Sequence, residues 1–345
     1  MKWLTLILLF SAQAFAQDIS KLEAALNRHP DQMSLRLQLA KAHEAAKQPD
    51  KVITTLNPYT DQLTPVGFLV LARAYSTKKD YANEVRVFKF LADKDETSFR
   101  WQMLMGQAYL KQAHELPEGE GRKTALTNGI RSLRRALALQ SRFKPAYDLL
   151  LSTLLTNRAN NEARELLMEG ISKFGARPEL YRELCRLDAQ DGFLVQAVAN
   201  CWESINVSPN YPDHYVYFIQ ALSDQKEDVR AEREVVKAAK KFPRSEFVQW
   251  AAGMLFLRQK NYPVASRYFR TAVAAQADSP RSRFGLAQAL FENGSEEEAL
   301  EHFVKACKAD AKTHEAFMMA AGKIRQRGSS PLASKYSAAA ATCRG

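Results

Sequence analysis

The side chains best equipped for chemistry are few and scattered along this chain. Four cysteines stand at 185, 201, 307 and 343, none of them in a CxxC spacing. The six histidines occur singly, so no Cys/His set has the clustering that a metal site requires, and no metal is expected. In an oxidising compartment an even cysteine count reads as two disulfides. There is no nucleophile motif, no Gly-rich phosphate loop and no HExxH. The sequence therefore predicts neither an enzyme nor a bound cofactor. Its densest charged constellation is Glu179, Arg182, Glu183 and Arg186, which share a helix face at i, i+3 and i+4 spacing. Two readings stay open for it. One is a surface ion-pair mesh worth a few tenths of a kcal/mol per pair, roughly. The other is a pair of arginines, Arg182 and Arg186, that receives a carboxylate or phosphate.

The elements that carry these residues announce themselves by a period. Pro178 and Pro212 are 34 residues apart, and Glu246 and Pro280 fall on the next two steps. Within that step large apolar residues alternate with small ones. Tyr181, Leu184, Cys185, Ala197 and Cys201 begin the series, and Tyr215, Phe218, Ile219, Leu222, Ala231 and Val235 continue it. Gly253, Phe256, Ala265 and Phe269 follow, then Leu286, Ala287, Leu290, Ala299 and Phe303. This is the pattern of two antiparallel amphipathic helices that approach closely where side chains are small. A fixed period of this length marks a stack of helix pairs.

The register resembles that of the tetratricopeptide-repeat family, most closely in the second-helix segments 261–269 (NYPVASRYF) and 294–303 (GSEEEALEHF). The resemblance covers nearly all of the chain beyond its first residues. It implies an all-α, right-handed superhelical solenoid of about nine antiparallel helix-pair repeats. Repeats 1–3 are placed at 33–64, 65–98 and 99–143. Repeats 4–8 are placed at 144–177, 178–211, 212–245, 246–279 and 280–313. A helix at about 19–28, within 17–32, would cap the start, and 314–345 would form an atypical closing repeat. Repeat 3 is longer than its neighbours. Its surplus, 111–124, contains Pro117, Gly119 and Gly121 and reads as an inserted loop.

In this family positions 2, 5, 9 and 12 of each first helix face the concave groove. The resemblance thereby assigns to the groove Phe247, Trp250, Met254 and Leu257, then Arg281, Phe284, Gln288 and Phe291, then Met318 in the last repeat, with Arg182 and Arg186 further up. Exposed apolar and aromatic residues of this kind mark partner surfaces. The expected partner is an apolar or amphipathic peptide segment of another protein. Alternatives stay open: a carbohydrate or peptidoglycan ligand stacked on Trp250, a homodimer that fills the groove with itself, or burial of the stripe by curvature. The implied helix pairing also sets Cys185 and Cys201 on facing helices of one repeat, so these two are expected to bond. Cys307 and Cys343, at the ends of the last two second helices, form the second expected pair.

Lys2 precedes a short apolar run, Trp3 to Phe10, and Ala14-Phe15-Ala16 gives a small-x-small cleavage pattern. Residues 1–16 read as a secretory signal peptide, too short to span a bilayer. No cysteine follows to carry a lipid anchor, and no transmembrane segment is expected elsewhere. The formal charge of +11, from 49 Lys+Arg against 38 Asp+Glu, favours acidic partners; export argues against nucleic acid. The sequence as a whole predicts a periplasmic or secreted, non-enzymatic adaptor or scaffold that serves cell-envelope assembly.

Overall fold

Helix-start signals recur along this chain, with Pro in the first turn of several helices and Ser, Thr, Asp or Asn caps on others. The computed structural model describes residues 18–328 and 330–342, and among these every regular element is a helix. The expected signal peptide (1–16) and Cys343, with its expected bond to Cys307, lie outside the described residues. The chain divides into two compact units between Ala159 and Asn160. That division falls inside the expected fourth repeat.

The first unit contains α1 (18–28), α2 (Met33–Ala45), α3 (Pro49–Leu56), a 3-10 turn (Asn57–Gln62), α4 (Pro65–Thr77), α5 (Tyr81–Lys94), α6 (Phe99–Glu115), α7 (Glu120–Leu139) and α8 (Lys144–Thr156). From α2 onward each α-helix packs on the next in chain order. Its core gathers Leu56, Phe68, Leu71, Val87 and Phe88. The inserted loop expected at 111–124 is corrected here. The surplus residues lengthen both helices of the pair, α6 to Glu115 and α7 from Glu120, so that four residues, 116–119, connect them. The reason is tertiary. Gly106 and Gly129 meet where the two helices cross, and a Cβ on Gly129 would stand 2.8 Å from Leu110 and 3.2 Å from the Gly106 carbonyl. Backbones that approach this closely extend their packing by continuing the helices, which also buries Ala113 and Ala125.

The second unit contains α9 (Asn160–Phe174), α10 (Pro178–Gln190), α11 (Leu194–Val207), α12 (Pro212–Asp224), α13 (Asp228–Lys241), α14 (Glu246–Arg258), α15 (Tyr262–Ala275), α16 (Pro280–Glu292), α17 (Glu296–Ala309), α18 (His314–Gln326) and α19 (Ser330–Ala341). Pro178, Pro212 and Pro280 open their helices, where the missing N–H leaves nothing unpaired. Ser245, Asn261 and Ser279 cap α14, α15 and α16 by accepting from the backbone N–H three residues on. Each first helix packs on its second helix, and α10, α12, α14 and α16 also touch one another in turn. The core runs through Leu222, Leu255, Phe269, Leu286, Phe303 and Phe317.

Cys185 on α10 and Cys201 on α11 are joined, with Cα atoms 5.1 Å apart, and both are buried. Closing a loop of this length stabilises by about 3 kcal/mol in the chain-entropy view. Replacing both cysteines by alanine is expected to lower the urea midpoint by that equivalent. An unchanged midpoint would mean that the α10–α11 contacts hold the pair without the bond.

All five first helices from α10 to α18 end on a residue with positive φ: Gly192, Lys226, Lys260, Gly294 and Gly328. The step is again 34 residues. In the first four the next N–H then reaches back to a carbonyl five residues earlier, as Glu227 does to Leu222 at 2.9 Å and Asn261 to Phe256 at 2.8 Å, the closing pattern of a Schellman turn. A lysine in this conformation bears a Cβ strain that glycine escapes. Lys226→Gly is therefore expected to stabilise the unit by roughly 0.5 kcal/mol, net of the unfolded-state entropy that glycine adds. Urea titration measures it, and a clear loss of stability would contradict the strain argument.

Candidate functional site

The site is built on α14. Its residues Phe247, Trp250, Met254 and Leu257 follow a 3-4-3 spacing, which puts them on one helix face. All four are partly buried, while Val248, Ala252, Leu255 and Phe256 are buried among the neighbouring helices. An apolar residue on this face is left over from packing rather than consumed by it. Two depressions border the stripe. The first, about 120 Å³, lies between α12 and α14 and is lined by Val216, Ile219, Gln220, Trp250, Met254 and Arg258. The second, about 470 Å³, is lined by Leu257, Arg258, Lys260, Gln288, Phe291, Glu292, Met319 and Lys323, from the ends of α14 and α16 and from α18. Arg258 belongs to both.

The sequence-predicted residues separate into distinct environments. Phe247 and Trp250 stack on each other, with ring centroids 5.8 Å apart and planes 21° from parallel. The Arg281 guanidinium lies over both, 4.5 Å from the Phe247 centroid and 5.3 Å from that of Trp250. Arg281 in turn pairs with Glu246 through two nitrogens, Nε at 3.0 Å and Nη2. Met254, Leu257 and Gln288 line the depressions. Phe291 is 2% exposed and lines the larger depression as part of its floor. Tyr336 of α19 and Phe303 of α17 set their rings 6.2 and 6.4 Å from it, so that most of the ring is held in the core and little of it faces the opening. Phe284 likewise packs edge-on against Phe303 at 5.8 Å. Met318 is exposed on α18, but its neighbour Met319 is the one that lines the depression. Arg186 donates to Glu183 at 2.9 Å and to Gln190 at 3.2 Å, and Arg182 stands 3.7 Å from Glu183. These contacts form a mesh on α10 itself and do not join the α14 stripe.

The electrostatics of the site were less legible in the sequence. Arg258 stands 3.4 Å from Asp224, and Lys323 pairs with Glu292 at 2.7 Å. Glu246 is 7% exposed. Burial pushes its carboxyl up, but hydrogen bonds from Arg281, Ser279 and Ser282 outweigh burial and hold it below the ordinary carboxylate range. Arg258, Lys260, Met319 and Lys323 escaped sequence reasoning because they lie at helix ends or off the four groove positions. The 34-residue step does place Lys260 at the same turn as Gly294, a signal that a cation stands where the next repeat has none.

Elsewhere, a larger depression of about 600 Å³ in the first unit lies among Asn57, Phe68, Tyr75, Arg86 and Phe90. It opens where the 3-10 turn succeeds the short α3. Among the described residues no helix is long and apolar enough to cross a membrane, and no group of His, Cys, Asp or Glu is arranged to hold a metal ion.

Residues 218–303 match the family described as "Surface lipoprotein assembly modifier, N-terminal TPR repeats". That segment runs from α12 into α17 and includes the α14 stripe. No curated protein matches the chain. Among solved structures, yeast Tom70 is similar at 13% identity over 97% of this chain and 83% of that one, with a TM-score of 0.49. PilF of Pseudomonas aeruginosa is similar at 14% identity, over 56% of this chain and 87% of that one, with a TM-score of 0.46. MamA (41-end) of Desulfovibrio magneticus RS-1 shares 19% identity over 48% of this chain and 94% of that one, with a TM-score of 0.40. With its helix pairs repeating at a 34-residue step, its turns in register and this match across 218–303, the chain has the fold of a tetratricopeptide-repeat solenoid, and the matched segment is of the tetratricopeptide-repeat type.

Proposed function

We propose that this protein is a non-catalytic adaptor that holds an apolar or amphipathic segment of another protein along α14, and that it does so after export, in assembly of the cell envelope. The observation that carries the reading is the half-buried stripe Phe247, Trp250, Met254 and Leu257, bordered by two depressions that share Arg258. Four apolar side chains on one helix face leave area that a partner's side chains gain by covering, at about 25 cal/mol per Å². A protein segment fits this surface better than a sugar ring. Arg281 covers the stacked Phe247 and Trp250, whereas the flexible side chains Met254 and Leu257 border the openings and adapt to an apolar guest. Two features support export and the envelope: the buried bond between Cys185 and Cys201, since disulfides persist in oxidising compartments, and the printed role of the family matched by 218–303.

The test is affinity capture from the native envelope fraction, wild type beside a Met254→Ser/Leu257→Ser variant whose melting temperature is checked first. Loss of a captured protein by at least about tenfold, equivalent to about 1.4 kcal/mol, is expected. Equal capture by a folded variant would remove the stripe as the binding face.

A further inference from the structure

The larger depression of the second unit has a chemical asymmetry that a purely apolar guest would not use. We propose that it anchors an acidic, amphipathic peptide segment, with one apolar side chain on the floor and an adjacent carboxylate received by Lys260. The proposal rests on the adaptor reading and specifies what the adaptor holds.

The floor is supplied by Leu257, Phe291 and Ala320, and Met319 stands at its edge, 58% exposed. A side chain entering here meets carbon on several sides. Its rim is different. Three cations, Arg258, Lys260 and Lys323, come to it from the end of α14, from the turn that follows and from α18, against one carboxylate, Glu292. Lys323 is committed to Glu292, and Arg258 has Asp224 within 3.4 Å. Among the described residues no carboxylate stands within ion-pair distance of Lys260. The local charge is therefore positive after internal pairing, with the surplus at one place.

A positive rim around an apolar floor selects by sign. A guest carboxylate beside Lys260 gains a charge pair, and a guest lysine there meets a like charge that no internal partner offsets. Electrostatic complementarity of this kind fixes register and partner choice more than raw affinity. The surplus of +11 over the whole chain works in the same direction at long range, steering acidic partners in.

The depression also lies where the row of first helices opens. α10, α12, α14 and α16 pack one on another, but α18 packs chiefly on α19. The space between α16 and α18 is therefore lined by side chains of both helices without being filled by either.

The experiment is selection of a random dodecapeptide phage library on the whole protein. Synthetic, labelled versions of the enriched peptides are then titrated by fluorescence anisotropy against wild type, Lys260→Glu, Lys260→Gln and Met254→Ser/Leu257→Ser. The proposal expects enrichment of apolar residues flanked by Asp or Glu. It expects binding weakened at least tenfold by Lys260→Glu, weakened less by Lys260→Gln, and reduced by added salt. Lys260 is an exposed turn residue, so both variants should keep the wild-type circular dichroism and melting temperature. Enrichment of uncharged or basic peptides would overturn the proposal, as would affinities indifferent to Lys260→Glu. In those cases, loss of binding in Met254→Ser/Leu257→Ser would leave the adaptor reading standing. Failure to enrich any peptide would count against both.

Discussion

Gly285→Ala is expected to destabilise the second unit by about 3 kcal/mol, at the upper end for overpacking a core. The Phe269 ring on α15 is fully buried and is held between Gly253 of α14 and Gly285 of α16. A Cβ on Gly253 would stand 2.6 Å from Phe269 Cε1, and one on Gly285 would stand 2.6 Å from its Cζ. Neither distance is tolerated by carbon atoms, and the ring has no free direction because both of its flanks are helix. The helices must separate, and these are the helices that carry the α14 stripe and one wall of the larger depression. Phe269→Ala alone is expected to cost about 4 kcal/mol through the cavity it leaves. In that background the added methyl of Gly285→Ala falls into empty space. The cycle should therefore show an interaction energy of roughly 2–3 kcal/mol. Urea unfolding of the four proteins measures it. Additive costs would mean that Phe269 and Gly285 do not share a contact, and the packing described for this junction would be wrong.

Arg281→Ala should destabilise by about 2 kcal/mol, below the usual cost of stranding a buried charge because the arginine itself is half exposed. Its partner bears the effect. Glu246 has little exposure and accepts from Ser279 Oγ at 2.6 Å, from Ser282 Oγ and from two nitrogens of Arg281. Without the guanidinium the carboxylate remains buried with two hydroxyls. A pH dependence follows, and its sign is fixed by linkage. Burial raises the Glu246 carboxyl, its hydrogen bonds lower it further, and the folded value lies below the ordinary 4.5. The unfolded chain thus binds the proton at higher pH than the folded one. The stabilisation is fully present above 4.5 and is lost as pH falls from there through the folded value. In Arg281→Ala the strongest lowering partner is gone, so the variant should lose less stability than wild type over that acid range, and the two curves should converge. Parallel curves between about pH 6 and about pH 3 would show that Glu246 is not held by Arg281. The same substitution uncovers Phe247 and Trp250, so it also tests whether the ordered stack matters for capture.

The helix pairs were readable because each is a local matter. A 34-residue step of prolines, small residues and aromatics encodes which face of each helix packs and where each turn falls. The Cys185–Cys201 bond was readable for the same reason, since both residues sit on facing helices of one pair. The loop expected at 111–124 is shorter than its composition suggests. Pro117 and Gly119 do lie in the connection, but Gly121 belongs to α7, and only the crossing of Gly106 with Gly129 shows why the helices continue to its edges. How little of Phe291 faces the opening was hidden for a similar reason. Its position in α16 says groove, and it does line the larger depression, but Tyr336, 45 positions later in chain numbering, arrives on α19 and packs against its ring.

By itself, then, the sequence determined a tetratricopeptide-repeat chain with an apolar stripe on α14, because helix periodicity and turn chemistry act over a few residues at a time. Only the tertiary structure decided which members of that stripe remain available and what charge surrounds them. Those outcomes depend on partners one repeat or more away: Glu246 beneath Arg281, Asp224 beside Arg258, and α18 standing off from α16. Pairing over such distances is set by the packing of whole helices, which no local pattern encodes.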